Sequence, residues 1–468
     1  MSSTAISNLN GSRVTVMGLG RFGGGVGVTR FLADRGAAVT VTDLGSADRL
    51  ADSIAQIQPW VDQGKVTLRL GEHDKGDFAE SDLVVASPAV PKPWMNEFLL
   101  AAESAEVPIT TEIGLLVELL GDPSRIVGVT GSAGKSTVSA MAAHAIKGVL
   151  HARGDHREVH LGGNIGGSLL GSIDSIAPDD LVVLELSSAM LYWLGRSGWS
   201  PGIAVVTNLS ENHLDWHGNM EHYEQSKRAI TDNQREYDAA LLPAALSHWS
   251  DRATVVDPAN QGTNLASLRL QLPGVHNKDN AQLAAHAAVS VLQRAGVDVS
   301  VNACAQALAS FKALPHRLEL VAERGALCAY NDSKSTTPES ALGAVEAMLE
   351  DDGARSIYLI CGGSDKGAAY GPLVEAGRRC ARVYTIGSTG PAIAAALRSG
   401  EVDVAECGEL AAAVRSATAG ASGDGVILLS PACASYDQFE SYVERGEVFS
   451  RLAREEIANR SKTEKISK

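Results

Sequence analysis

Gly131-Ser132-Ala133-Gly134-Lys135-Ser136-Thr137 follows the apolar run Arg125-Ile126-Val127-Gly128-Val129-Thr130 and precedes the Ala-rich stretch 138–146. The run reads as a buried strand and the stretch as a helix, so the glycines fall at a strand-to-helix turn. That is the setting of a phosphate-cradling loop. Its glycines let backbone N–H groups converge on an anion, and the helix N-terminus adds a partial positive charge. Lys135 can neutralise β- and γ-phosphate oxygens, and the hydroxyl of Ser136 or Thr137 can hold Mg²⁺. A charge pair about 4 Å apart is worth about 4 kcal/mol at an effective dielectric near 20, which makes Lys135 consequential. Val129 stands where such loops commonly carry their first glycine. The bland alternative is an ordinary glycine turn with a surface lysine.

Outward from this loop the chain reads as three α/β blocks. The first opens with the strand-like 13–17, a glycine turn and a helix over about 26–35, then a strand over 38–42 and another over 83–88. The second begins near Pro123 and continues with strands over 181–186 and 203–208. The third begins near Pro315 and holds strands around 356–360, 382–386 and 426–429. Helical patterns alternate with all of these, which predicts parallel sheets covered on both faces. The expected fold is therefore α/β with three domains, each a mostly parallel sheet with flanking helices. Residues 1–122 and 314–468 read as Rossmann-like domains, and 123–313 as a P-loop ATPase domain.

Gly18-Leu19-Gly20-Arg21-Phe22-Gly23 matches a dinucleotide fingerprint, and Asp43 ends the next strand. Such a turn binds any diphosphate, and Asp43 can accept hydrogen bonds from a ribose or a uracil. NAD(P), another nucleotide such as a UDP-linked substrate, and a turn with only a packing role all remain open on this block alone.

Within the second block, Glu185 closes the apolar run Leu181-Val182-Val183-Leu184. A carboxylate there would project into the crevice where the phosphate loop opens, as a hard oxygen ligand for Mg²⁺ or as a solvated acid. His213 and His217, four apart, could share a helix face as a zinc pair, but no third ligand has the familiar spacing. Lys227 in Tyr223-Glu224-Gln225-Ser226-Lys227 reads on its own as a surface lysine. Asn164 lies in the glycine-flanked loop Gly162-Gly163-Asn164-Ile165-Gly166, where backbone could approach a ligand.

The 468-residue chain has 45% hydrophobic and 20% charged residues, too long for one core and ordinary for a globular protein. A formal charge of −15 argues against a general nucleic-acid or anionic-membrane partner. Six scattered cysteines without a Cys-x-x-Cys suit reduced thiols in a cytoplasm. The polar segment 1–13 has no signal-peptide core, and no apolar run is long enough to span a bilayer.

Together these motifs resemble, in order and over nearly the full length, the Mur ligases of bacterial cell-wall synthesis, in their D-glutamate-adding branch. The matching segments are the loop Gly131–Thr137, Gly163-Asn164-Ile165-Gly166, Glu185-Leu186-Ser187-Ser188, His213-Leu214-Asp215, Lys227, Gly274–Asn280 and Pro315-His316-Arg317-Leu318-Glu319. Asn331–Thr336, Gly362–Gly367 and, most specifically, Leu429–Phe439 resemble the glutamate adder in the third block. Departures are Ala133 for a usual Asn, Ala189-Met190-Leu191 for Phe-Gln-Leu, a glycine-richer first turn, and Tyr442 for a frequent Phe.

The resemblance implies an ATP-dependent ligase that joins D-glutamate to UDP-N-acetylmuramoyl-L-alanine through an acyl phosphate. It implies catalytic roles for Lys135, Glu185, His213 and Lys227, the last carbamylated, and about two Mg²⁺ held among Ser136, Thr137, Glu185, His213 and Lys227. Bringing a lysine pKa from about 10.4 to near 7 takes about 4–5 kcal/mol, so Lys227 must be buried near other cations. ATP would contact Gly131–Thr137, Asn277, Asn280, Arg317 and Asp332. Gly20, Arg21, Phe22, Asp43, Asn164 and Ser188 would face the UDP-sugar, and Lys334, Thr336, Lys366, Ser435 and Tyr442 the amino acid. With ATP on the second block and glutamate on the third, domain closure is expected, in a cytoplasmic monomer with no nucleic-acid or membrane partner. Competing readings are an NAD-dependent oxidoreductase, a nucleotide-binding regulator without chemistry, and another Mur or folylpolyglutamate-type ligase. Cys433 has no adjacent base and is expected to be a buried small residue.

Overall fold

The computed structural model describes residues 9–21, 23–256, 270–351, 355–365, 367–421 and 423–466. The strands are β1 (Arg13–Met17), β2 (Ala38–Asp43), β3 (Val66–Leu70), β4 (Leu83–Ala86) and β5 (Ile109–Thr110), then β6 (Ile126–Thr130), β7 (Val159–Gly163), β8 (Leu181–Glu185), β9 (Ile203–Val206), β10 (Ala239–Leu242) and β11 (Ala253–Val255). They continue with β12 (Glu319–Arg324), β13 (Leu327–Asn331), β14 (Ile357–Gly362), β15 (Arg382–Ile386), β16 (Val404–Gly408) and β17 (Val426–Leu429).

These make three sheets, ordered β3-β2-β1-β4-β5, β11-β10-β9-β6-β8-β7 and β12-β13-β17-β14-β15-β16. Among the described residues every pairing between these strands is parallel except β12 with β13, an edge hairpin turning at Gly325 (φ 60°). The central strands β4, β6, β8, β9 and β17 are buried at every position. Helices on both faces leave such a strand no solvent side, so it reads as a continuous apolar run. The α/β expectation with mostly parallel sheets holds; the antiparallel edge is the difference. A 2-residue turn can join only antiparallel strands, whereas a parallel pair needs a crossover.

Sheet order places the site. In the second sheet β6 lies between β8 and β9, so the loops leaving the C-terminal ends of all three strands meet at one edge. In the first sheet β1 lies between β2 and β4, the point where strand order reverses. In the third, β17 lies between β13 and β14, gathering the loops that follow Asn331, Gly362 and Leu429.

The chain divides into two compact units, one with the first two sheets and Asn280–Leu308, the other with the third sheet and the segments ending at Asp279 and starting at Ala309. One apolar cluster runs from Val14, Val39 and Val85 of the first sheet to Val182, Leu184 and Ala204 of the second. No helix among the described residues is long and apolar enough to cross a membrane. None of the six cysteines is in a disulfide.

Candidate active site

β6 ends in Thr130 and the helix Lys135–Ala152 begins five residues later, so the predicted strand, loop and helix are all present. Gly131 holds φ 148°, and a Cβ there would collide with Thr207 Oγ1. Asn208 Oδ1 accepts from the amides of Ser132 (3.2 Å) and Ala133 (2.9 Å), and Thr207 Oγ1 donates to Ala133 O at 2.5 Å. The segment after β9 therefore clamps the loop. Lys135 Nζ donates to Gly131 O (2.8 Å) and Ser132 O (3.0 Å). Ser136 is buried and Thr137 half-buried.

Lys227 lies on the helix Met220–Asp232 and is 1% exposed, not the surface lysine its own stretch suggests. Its Nζ donates to Gly131 O at 2.8 Å and Thr130 Oγ1 at 3.3 Å. Burial, reinforced by repulsion from Lys135 and opposed by Glu185, brings its pKa down to about 6. An amine of that pKa is mostly neutral at pH 7 and can act as a nucleophile.

Glu185, 2% exposed, ends β8 beside this lysine. Asn164 Nδ2 donates to its Oε1 at 2.9 Å, whereas its buried Oε2 has no hydrogen-bond partner among the described residues. A buried carboxylate oxygen left without a donor calls for a cation. No group of three or more His, Cys, Asp or Glu side chains among the described residues is arranged to hold a metal. The unpartnered Glu185 oxygen could serve Mg²⁺, which uses one or two carboxylates together with hydroxyls, waters and substrate phosphates.

His213 starts the short helix Leu214–His217 in a left-handed conformation (φ 52°). Burial first, then Lys135 and Lys227, lower its pKa below the ordinary histidine value. His217 is a separate feature. Its Nε2 lies 2.9 Å from Ser188 Oγ, its Nδ1 2.9 Å from His222 Nδ1, and burial with the neighbouring histidines lowers it to about 4. Trp216 Nε1 donates to Pro88 O at 3.1 Å, tying this helix to the turn after β4.

The first glycine turn closes the same site. Gly20 N donates to Asp43 Oδ2 (3.0 Å) and Gly45 N to Asp43 Oδ1 (2.7 Å), so Asp43 sets the turn's shape. A Cβ on Gly25 would strike the carbonyls of Gly18 and Leu19, which accounts for the additional glycine. Gly20, Lys135, Asn164, Ser188, His213 and Lys227 all line one cavity of about 580 Å³. Arg21 is exposed; Phe22 lies outside the described residues. Asn280 is buried with its Oδ1 against Gly134.

The second unit holds the remaining candidates. Asn277 is buried and donates through Nδ2 to Pro273 O at 2.6 Å. Asp332, on the loop after β13, accepts from Leu318 N (3.2 Å) and Ser430 Oγ (2.9 Å), and burial raises its pKa to about 6. Arg317 is half-buried between His316 (φ 63°) and Leu318 (φ 45°). Lys334 Nζ sits 5.4 Å from the Tyr442 ring centroid, Thr336 is half-buried and Ser435 buried. Lys366 lies outside the described residues. Burial pushes the Cys433 thiol up, which does not suit a nucleophile.

Two residues were missed by sequence reasoning. Asn208 clamps the phosphate loop, and only its place at the end of the predicted strand 203–208 hinted at it. Arg445 is 1% exposed; it donates to Ser333 Oγ (3.0 Å), Ser333 O (2.9 Å), Cys433 O (3.0 Å) and Ala434 O (3.1 Å), joining the loops of Thr336 and Ser435.

Residues 12–111 match the Mur ligase MurD-like N-terminal domain, 129–256 the Mur ligase middle domain, and 316–433 the Mur ligase glutamate ligase domain. The chain is 38% identical to the UDP-N-acetylmuramoylalanine--D-glutamate ligase of Anaeromyxobacter dehalogenans, over 97% of this chain and 99% of that one. It is 36% identical to the enzyme of that name from Acidobacterium capsulatum, over 95% and 96%. Among solved structures, UDP-N-acetylmuramate-alanine ligase from Thermotoga maritima shares the fold with a TM-score of 0.57 at 20% identity, covering 94% of this chain and 98% of that one.

Proposed function

From a chain that belongs to the Mur ligase family, we infer an ATP-dependent ligase that adds D-glutamate to UDP-N-acetylmuramoyl-L-alanine in peptidoglycan precursor synthesis. One arrangement carries this reading: the first glycine turn and the phosphate loop open into a single cavity with Lys135, His213 and Lys227 on its wall. A sugar nucleotide on one side and ATP on the other would meet there.

The alanyl carboxylate oxygen attacks the γ-phosphorus; a C–O–P linkage forms, the bond to the β-phosphate oxygen breaks and ADP leaves. The amine of D-glutamate then attacks the acyl carbon, a C–N bond forms, and phosphate departs as the amine loses a proton. A carboxylate is brought to a polyanion in the first step, so charge neutralisation and positioning dominate. Lys135 supplies fixed positive charge at the phosphates. The hydroxyls of Ser136 and Thr137, the orphaned oxygen of Glu185 and the His213 imidazole would hold Mg²⁺, which when bound offsets phosphate charge. The neutral Lys227 amine can add to CO₂ with loss of a proton, giving a carbamate that contributes a further anionic oxygen ligand.

Asp43 and Gly20 would support the uridine diphosphate, with Arg21, Phe22, Asn164 and Ser188 on the sugar side. Asn277, Asn280, Arg317 and Asp332 would complete the ATP site, and Lys334, Thr336, Lys366, Ser435 and Tyr442 would receive D-glutamate. The same proposal takes 1–122, 123–313 and 314–468 as domains of a cytoplasmic monomer that closes during turnover.

The deciding experiment measures ADP and phosphate release with each substrate omitted in turn. Release only when UDP-N-acetylmuramoyl-L-alanine and D-glutamate are both present is expected. Turnover with another amino acid in place of D-glutamate would move the chain to another ligase branch, and no release would leave a nucleotide-binding regulator.

A further inference from the structure

Ser188 opens the helix Ser188–Arg196, is buried, and lines the cavity of about 580 Å³. Its Oγ lies 2.9 Å from Nε2 of His217, a buried residue on the same cavity wall. The opposite nitrogen of that ring, Nδ1, lies 2.9 Å from His222 Nδ1 and 3.5 Å from Ser226 Oγ. A hydroxyl between two lining residues is thus backed by a row of polar side chains that ends on the helix Met220–Asp232.

The His217 ring is held in place on several sides. Ring centroids of Trp216, His222 and Tyr223 lie 4.4, 5.1 and 5.2 Å from it, the last edge-on. Its backbone N–H donates to His213 O at 3.0 Å. His222 is fixed in turn, because its N–H donates to the capping side chain of Asn219 at 2.8 Å. Packing therefore keeps Nε2 aimed at Ser188, the kind of support that a ligand-contacting group needs.

The direction of the Ser188 hydroxyl follows from where the ring proton sits. Two imidazole nitrogens 2.9 Å apart share one proton between them. Ser226 decides its owner. The Ser226 hydroxyl donates to His222 O at 2.7 Å, so its oxygen turns only lone pairs toward His217 Nδ1. A proton on His217 Nδ1 then meets two acceptors, His222 Nδ1 and Ser226 Oγ, whereas a bare Nδ1 would face the Ser226 lone pairs. Burial first, then the neighbouring histidines, lowers the pKa of His217 to about 4, so the ring is neutral at pH 7. With Nδ1 protonated, Nε2 is an acceptor and Ser188 donates to it. The hydroxyl proton is thereby committed, and what Ser188 has left for the cavity is oxygen lone pairs. Such a group favours an N–H or O–H and gains nothing from phosphate or carboxylate oxygens.

We propose that His217 is a positioning residue: backed by His222 and Ser226, it fixes the Ser188 hydroxyl as a hydrogen-bond acceptor for an N–H or O–H of the sugar nucleotide. The identity of the ligand rests on the ligase reading; the tautomer does not.

The test has a spectroscopic and a kinetic arm, both on the full-length protein. In ¹⁵N-histidine-labelled protein, protonated and bare ring nitrogens resonate far apart, and Ser188→Ala identifies the His217 ring by perturbing its Nε2. The expected pattern is a proton on Nδ1 and a bare Nε2. A proton on Nε2 overturns the acceptor assignment. In turnover, Ser188→Ala and His217→Phe should each raise KM for UDP-N-acetylmuramoyl-L-alanine about five- to tenfold and leave KM for ATP within about twofold. The double variant should be no worse than either single one, because His217 acts through Ser188. His217→Gln, whose side-chain carbonyl can accept from Ser188, should recover most of the loss. Additive losses, or an equal rise in KM for ATP, overturn the positioning role. Should His217→Phe not fold, His222→Phe carries the comparison: it removes an acceptor of the Nδ1 proton and should raise the sugar-nucleotide KM only while Ser188 is present. A failure of the ligase reading would show separately, as absent turnover in the unsubstituted protein with the tautomer still measurable.

Discussion

Lys227 is the residue on which the proposed chemistry turns, and its protonation state follows from where it is buried. With a pKa of about 6 the amine is mostly neutral at pH 7. Carbamate formation needs that neutral form, so activity should fall as pH drops through about 6 and hold above it, which a pH–rate profile with CO₂ supplied will check. The same shift makes a stability statement. Between pH 6 and the ordinary lysine value near 10.4, the unfolded chain binds a proton that the folded chain does not, so this residue's contribution to stability rises with pH across that window. Lys227→Ala should lose about 10²–10³-fold in kcat, as when one preorganised charged group is removed, and regain part of it with added short carboxylic acids. Full activity in the unrescued variant would dismiss the carbamate. Asn208→Ala tests the clamp. It frees the amides of Ser132 and Ala133 from a side-chain acceptor, a loss of about 1 kcal/mol, so KM for ATP should rise about fivefold while KM for D-glutamate stays put. The phosphate loop was legible because all its chemistry is local in sequence. Lys227 was legible only through resemblance, and Asn208 scarcely at all, since both reach the loop through strand order.

At the scale of elements, legibility followed burial. Strands β4, β6, β8, β9 and β17 are covered on both faces, and their apolar runs gave them away. β12 and β16 sit at the edges of the third sheet, half exposed, and Glu319-Leu320-Val321-Ala322-Glu323-Arg324 carries no such run. The helix Tyr442–Ile466 was equally quiet in sequence, yet it delivers Arg445 into the junction of two loops. Burial lowers that guanidinium to about 10, so it stays charged at neutral pH. Its partners are backbone carbonyls and one hydroxyl, and removing it strands several acceptors at about 1–3 kcal/mol each. Arg445→Ala should therefore destabilise the third-sheet unit by about 3 kcal/mol or more in denaturant titration. Arg445→Lys, which keeps the charge and loses the fork, should fold better and still raise KM for D-glutamate. A D-glutamate KM that both substitutions leave unchanged would separate these loops from the amino-acid site.

At the scale of the whole molecule, the three sheets were readable from alternating patterns, but the shared core of the first two was not. It gathers residues far apart in sequence, Val14, Val39 and Val85 with Val182, Leu184 and Ala204, and long-range polar contacts lie outside it, Arg35 with Asp174 at 2.8 Å, Arg196 with Glu103 at 2.8 Å and Trp216 with Pro88 O at 3.1 Å. Net charge is the one global property that composition states outright, and it has a consequence for binding. At −15 the chain repels every one of its proposed substrates at long range, while attraction is confined to local cations such as half-buried Lys135. Salt acts differently on the two. The Debye length shrinks from about 30 Å at 0.01 M to about 8 Å at 0.15 M, which screens the exposed mean field far more than a partly buried contact. Raising ionic strength across that range, with free Mg²⁺ held constant, should thus increase kcat/KM for ATP by about two- to fivefold through faster encounter. A steered enzyme with a positive approach surface would show the opposite slope. Repeating the titration with surface carboxylates away from the cavity changed to amides, for instance Glu401→Gln with Glu409→Gln, should flatten the rise, because the repulsion being screened is then smaller from the outset.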